Sequence, residues 1–238
     1  QLIDALSQLA LASIPVVLMM RRRLAVQVAV GVAAMAIHTV LHYAFPGPDG
    51  AWSGQRPVGM AIDQAIFRWQ YYDAAYSTLN ALPSIVWVLA GSWVGRWLLT
   101  ARDPSMKARN LSLIGVVTLG AGRLLAVWVP MVKQLCTPSF VLFSLGVVLV
   151  AFALVYSLTD VLGFARWGWA WGVMGRNTLV VYSIDMVLLW WVDSSVAVFT
   201  DRFSFFGLFG SVVQALAAAL MVWLLCLWLY RRNIVVKL

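Results

Sequence analysis

About seven stretches of roughly 20 mostly apolar residues, separated by short polar segments, restrict this chain more than any other feature. A helix rising about 1.5 Å per residue needs about 20 residues to cross some 30 Å of hydrocarbon. The sequence therefore predicts an all-α fold: a polytopic transmembrane helix bundle of about seven spanning helices, with residues 1–238 forming a single transmembrane domain. Composition agrees, because only 11% of residues are charged, where a soluble domain carries roughly a quarter.

The expected spans run approximately Leu2–Met20 (interrupted by Pro15), Leu24–Phe45, Thr78–Leu99, Leu111–Val129, Phe140–Leu158, Val173–Val192 and Leu208–Tyr230. Strong turn chemistry at Pro46-Gly47-Pro48-Asp49-Gly50 ends the second run. A polar, aromatic-rich segment follows to about Ala75 and is the longest connection.

The net charge of +8 would suit a nucleic-acid partner, but its distribution argues against one. Basic residues sit in short clusters between the apolar runs. Arg21, Arg22, Arg23, Arg96, Arg102, Lys107, Arg109, Arg166, Arg231, Arg232 and Lys237 fall at one rim, against Arg56, Arg68, Lys133 and Arg202 at the other. That bias predicts an integral membrane protein, in a bacterial inner membrane, with its C-terminus in the cytoplasm. Membrane lipids are the expected partners, with a homo-oligomer or larger membrane complex as a further expectation. Tryptophans such as Trp52, Trp97, Trp128 and Trp190 cluster near the predicted helix ends, as interfacial anchors do. The chain has no secretory signal and opens at Gln1 inside an apolar run, which reads as a sequence whose start lies further upstream.

Charges within the apolar runs are the first candidates for chemistry, since they are costly there. Arg123 and Asp185 fall at similar depths, roughly 10 Å below the same surface, and are expected to pair or to share a polar cavity. Such a pair serves either packing or a site. Arg176 is expected to snorkel to the inner surface. His38 and His42 lie one turn apart on one helix face. They read as hydrogen-bonded structural residues, as a catalytic base, or as metal or pigment ligands; no third ligand lies nearby in sequence, and no metal is expected. Gly115, Gly120 and Gly122, and the Gly91-x-x-x-Gly95 spacing, predict close helix packing. Cys136 and Cys226 fall at opposite rims and are not expected to form a disulfide.

Four segments in order then resemble one family. Thr78-Leu79-Asn80-Ala81-Leu82-Pro83-Ser84-Ile85, with Gly91, Gly95 and Arg96, is similar to its mid-chain helix. Pro130-Met131-Val132-Lys133-Gln134-Leu135, with Thr137, Ser139 and Phe140, is similar to its P-x-N-K-x-L-W-T-x-S-F/Y loop. Gly175-Arg176-Asn177-Thr178-Leu179 with Tyr182 is similar to its G-x-N-x-L-x-x-Y helix, and Tyr230-Arg231-Arg232-Asn233-Ile234 to its basic ending. The family is that of the heparan-α-glucosaminide N-acetyltransferase-like membrane acyltransferases.

The resemblance implies an eleven-helix protein of which this chain covers the last seven helices. It implies transfer of an acyl group from cytoplasmic acyl-CoA, the co-substrate, to a sugar-type acceptor on the outer face. On that reading Lys133, Asn177 and Asp185 line the outer end of a polar tunnel, and Arg123 and Arg176 serve acyl-CoA binding. Lys133 would orient the acceptor or thioester, and Asn177 would hydrogen-bond the pantetheine arm. Departures are marked. The family's catalytic His falls in an N-terminal part outside this sequence. Asp73-Ala74-Ala75-Tyr76 replaces its D-P-E-G segment, Val132 and Cys136 replace an Asn and a Trp, and Asp185 stands where a His often follows. These changes motivate an alternative, a catalytically inactive, family-derived subunit of a larger membrane complex that contacts lipids or pigments.

Overall fold

The computed structural model describes residues 5–54, 57–68, 77–187, 194 and 210–236. Among these the secondary structure is helical. Two compact units form, Gln1–Leu162 and Gly163–Leu238.

In the first unit α1 spans Ala5–Met19 and α2 spans Leu24–Ala44. α3 spans Val58–Phe67 and α4 spans Ala81–Leu98, entered through a tight turn at Thr78–Asn80. α5 spans Pro104–Leu125, and α6 spans Pro138–Tyr156 and is prolonged by a wide turn over Ser157–Val161. In the second unit α7 spans Trp169–Gly175, α8 spans Thr178–Val187 and α9 spans Gly210–Arg231.

Among the described residues four stretches are long and apolar enough to cross a membrane: Leu24–Ala44, Thr78–Leu98, Pro138–Val161 and Val212–Arg231. Other expected spans differ for identifiable reasons. α1 is described over 15 residues from Ala5 and contains Pro15, and the first residues of its expected span lie outside the described residues. α5 begins seven residues earlier than the apolar pattern indicates, because Asp103 accepts the Met106 amide and Pro104 occupies the first turn. Its charged residues Lys107, Arg109 and Arg123 lower its mean hydropathy. The expected Val173–Val192 helix starts earlier and is interrupted between α7 and α8 at Arg176–Asn177. α3 lies inside the segment read from sequence as a long polar connection.

Helix termini in the first unit sort onto two ends. At one end Arg96 donates to the Met20 carbonyl, joining the last turn of α4 to the turn after α1. Gln27 donates to the carbonyls of Met19 and Arg22 and accepts from Trp93. Lys107, buried on α5, donates to the Leu98 and Thr100 carbonyls at 2.7 and 2.6 Å. It thereby satisfies the free end of α4 and places positive charge against its dipole. Arg21, Arg22, Arg23 and Arg102 share this basic end. At the other end Tyr43 donates to the Trp128 carbonyl, and Gly50 closes the predicted turn onto Gly47 with φ +106°, which glycine tolerates.

α5 and α6 pack backbone to backbone. A Cβ on Gly115 would lie 2.9 Å from the Val150 amide, and one on Gly122 would lie 2.8 Å from Phe143 Cα. Gly146 returns the contact against Leu119. Close packing through Gly115 and Gly122 therefore follows the expectation. Gly120, Gly91 and Gly95 depart from it, since nothing lies within 4 Å of where their Cβ atoms would stand.

In the second unit Trp223 donates to the Ala170 carbonyl and meets Trp169 edge-on. Ile184 and Ala218 pack α8 on α9.

Candidate functional site

Two of the segments singled out in the sequence meet in the first unit. Asn80, fully buried at the entry to α4, donates from Nδ2 to the Gln134 carbonyl at 2.9 Å. Its Oδ1 accepts from Ser77 Oγ, while Ser84 Oγ donates to its carbonyl. The opposing loop, Pro130–Ser139, is itself tied. Thr137 Oγ1 accepts from the Val132 amide and Ser139 Oγ donates to the Pro130 carbonyl. Leu135, Thr137 and Ser139 are buried. The loop therefore projects Lys133 and Gln134 outward from a fixed base.

Beneath them runs a groove of about 1050 Å³ between α4 and α6. Its α4 wall is one helical stripe, Trp87, Gly91, Val94, Gly95 and Leu98; its α6 wall is Phe140, Ser144, Val148, Leu149 and Phe152. Gln8, Lys133, Gln134 and Cys136 close the polar end. Gly91 and Gly95 do not pack a helix but leave the groove open. From Trp87 to Leu98 the stripe extends about 16 Å, so the groove leads toward the basic end of the unit.

Its walls are apolar in chemistry as well as composition. Trp87 Nε1 donates to the Val141 carbonyl, and Ser144 Oγ donates to the same oxygen. Both mid-groove donors are thus engaged. An amide held there without a partner costs about 1–3 kcal/mol, whereas methylenes gain from burial. The tunnel expected from the resemblance would be polar; this passage is not.

Behind the polar end lies a second buried group. His38 and His42 on α2 lie with ring centroids 4.3 Å apart, their planes tilted by 38°. His42 Nδ1 donates to the His38 carbonyl at 2.9 Å, and its ring lies flat on Trp52. The His38 ring faces the Leu135 backbone and the Asn80 side chain, yet neither ring nitrogen closes a well-formed hydrogen bond among the described residues. Asp63 on α3 accepts from the Thr78 amide at 2.7 Å. Neither histidine lines the groove. Among the described residues no three His, Cys, Asp or Glu side chains gather as metal ligands would. These buried polar contacts between α2, α3 and the loop were invisible in sequence, where only the one-turn spacing of the two histidines hinted at them.

Cys136 lies in the loop with φ +49°, and burial pushes its thiol up to about 11. It is therefore no activated nucleophile.

The other expected site residues fall elsewhere. Arg123 is exposed in the last turn of α5. Asp185 lies on α8, but its side chain falls outside the described residues, and so does the expected Arg123–Asp185 pairing. Arg176 lies over the Tyr230 ring, 4.9 Å from its centroid. Asn177 is fully buried, with Nδ2 donating to the Ile234 carbonyl and Oδ1 accepting the Val236 amide. The third and fourth segments of the resemblance thus meet in the second unit, where Asn177 anchors the tail. Lys133 and Arg123 belong to the first unit, and Arg176, Asn177 and Asp185 to the second.

No family model, curated protein or solved structure matches this chain.

Proposed function

We propose that this chain is an integral membrane acyltransferase, a bundle of about seven spanning helices with its basic end and its C-terminus on the cytoplasmic side. An acyl thioester enters along the α4–α6 groove. It presents its carbonyl carbon at the polar end, to a sugar-type acceptor on the far side. Lys133, exposed beside Gln134, is the cation that orients acceptor or thioester oxygen there. Arg21, Arg22 and Arg102 at the basic end supply charge for the phosphates of acyl-CoA.

One observation carries this reading: a single groove leads from the basic end toward a polar end framed by Lys133 and Gln134. That is the path an acyl group must take from a cytoplasmic donor to an outer acceptor. The test is binding of a non-hydrolysable acyl-CoA analogue to the protein in nanodiscs. Micromolar binding that weakens in Lys133→Met and in Arg21→Ala/Arg22→Ala is expected. No binding at high micromolar concentration would sink the proposal.

A second reading has its own support. Among the described residues no imidazole or carboxylate lines the groove, and acyl transfer to an amine or hydroxyl needs a base. A catalytically inactive subunit of a larger complex would bind the analogue, or a lipid, without turnover.

A further inference from the structure

We infer that the α4–α6 groove is the berth of one hydrocarbon chain of an anionic phospholipid, whose headgroup phosphate rests against Lys133. It concerns binding alone and does not rest on the acyl-transfer reading, in which acyl-CoA displaces this hydrocarbon chain from the same groove.

Three observations converge on this occupant. Among the described residues the groove walls keep no free side-chain hydrogen-bond donor between their ends, because Trp87 and Ser144 both donate to the Val141 carbonyl. A peptide segment would bury unpaired amides there; an alkyl chain buries none. Gly91 and Gly95 leave bare backbone along the α4 stripe with nothing within 4 Å, room for a chain to lie flat. At the polar end the charge is complementary: Lys133 is exposed, and among the described residues no carboxylate lines the groove to compete for it.

The experiment uses the whole chain in nanodiscs with phosphatidylglycerol carrying a mid-chain diazirine, and the same probe with a phosphatidylcholine head. After illumination, adducts are read by mass spectrometry. We expect them on the 87–98 and 140–152 stretches, with the phosphatidylglycerol probe labelling about threefold more than the phosphatidylcholine one. Lys133→Gln removes that preference. Gly91→Leu/Gly95→Leu fills the groove and lowers labelling at least about fivefold. Gly120→Leu, equally free of neighbours but outside the groove, leaves labelling unchanged and controls for folding. Adducts elsewhere, labelling indifferent to the filled groove, or equal labelling by both heads overturns the inference. So does a protein–protein adduct showing that a second copy covers the groove. Acyl-CoA turnover in the same nanodiscs separates the claims: labelling without turnover retires the enzyme reading and keeps the lipid site, and turnover without groove labelling does the reverse.

Discussion

Adding one methyl group at each of three glycines should change stability with opposite signs. In Gly146→Ala the new Cβ would stand 2.6 Å from Leu119 Cα, and in Gly122→Ala it would stand 2.8 Å from Phe143 Cα and 2.9 Å from the Ser139 carbonyl oxygen. Comfortable carbon contacts lie at about 3.5–4.0 Å, so α5 and α6 must part by about 1 Å. The obstructing atoms are backbone, and no rotamer change relieves them. Overpacking of this kind costs about 1–3 kcal/mol, and a backbone clash belongs at the upper end. Alanine returns about 1 kcal/mol through helix propensity. The net expectation is a loss of about 2 kcal/mol for either variant. Gly120→Ala meets nothing within 4 Å and should gain up to about 1 kcal/mol. Reversible unfolding in mixed micelles, followed through the 13 tryptophans, resolves a difference of about 3 kcal/mol. If Gly146→Ala matches the parent, or Gly120→Ala is as harmful as Gly122→Ala, the backbone contact between α5 and α6 is wrong.

Three further substitutions probe single contacts. Lys107→Met keeps the aliphatic stem but leaves the Leu98 and Thr100 carbonyls without their donor, and should cost about 1.5–3 kcal/mol in the same unfolding assay. Asn177→Ala releases residues 234–236, so amide exchange there should rise about tenfold or more while α9 stays protected. In a Cys226→Ala background, Cys136 should resist maleimide at neutral pH. Its rate should climb about tenfold per pH unit toward 11 and jump on unfolding in SDS, because the thiolate is the reactive form.

Helices whose stability comes from uninterrupted apolar length were legible in the sequence. α2, α4, α6 and α9 lie within about three residues of their expected ends, since a polar or turn-forming residue breaks the apolar run near most of those ends. α5 was read too short although Asp103-Pro104 is a strong start signal, because its first turn is polar. α3 escapes the reading although its apolar residues share one face, because ten residues beside a proline are too few to read as a span. The interruption at Arg176–Asn177 has a polar pair as its only local mark. Lys133 was picked from its motif, and its place above a groove follows only from tertiary packing. Gly91 and Gly95 show the limit most clearly: spacing fixes which face two glycines share, but not whether that face meets a helix or a void.

The two histidines one turn apart on α2 give the last prediction its leverage. They look equivalent in sequence, yet His42 donates to the His38 carbonyl and stacks on Trp52. His38, fully buried, closes no well-formed hydrogen bond from either ring nitrogen. A buried polar group without a partner costs about 1–3 kcal/mol, so His38→Leu removes that cost. It forfeits about 0.5–1.5 kcal/mol of ring contact with His42. Its stability should therefore stay level or rise by up to about 2 kcal/mol, whereas His42→Leu should lose about 1–2 kcal/mol with its hydrogen bond and stack. A His38→Leu protein clearly less stable than the parent would mean that the ring is firmly bonded, and the asymmetry would fall. A stable variant that still binds the non-hydrolysable analogue but no longer turns over acyl-CoA itself would make His38 the base missing from the groove.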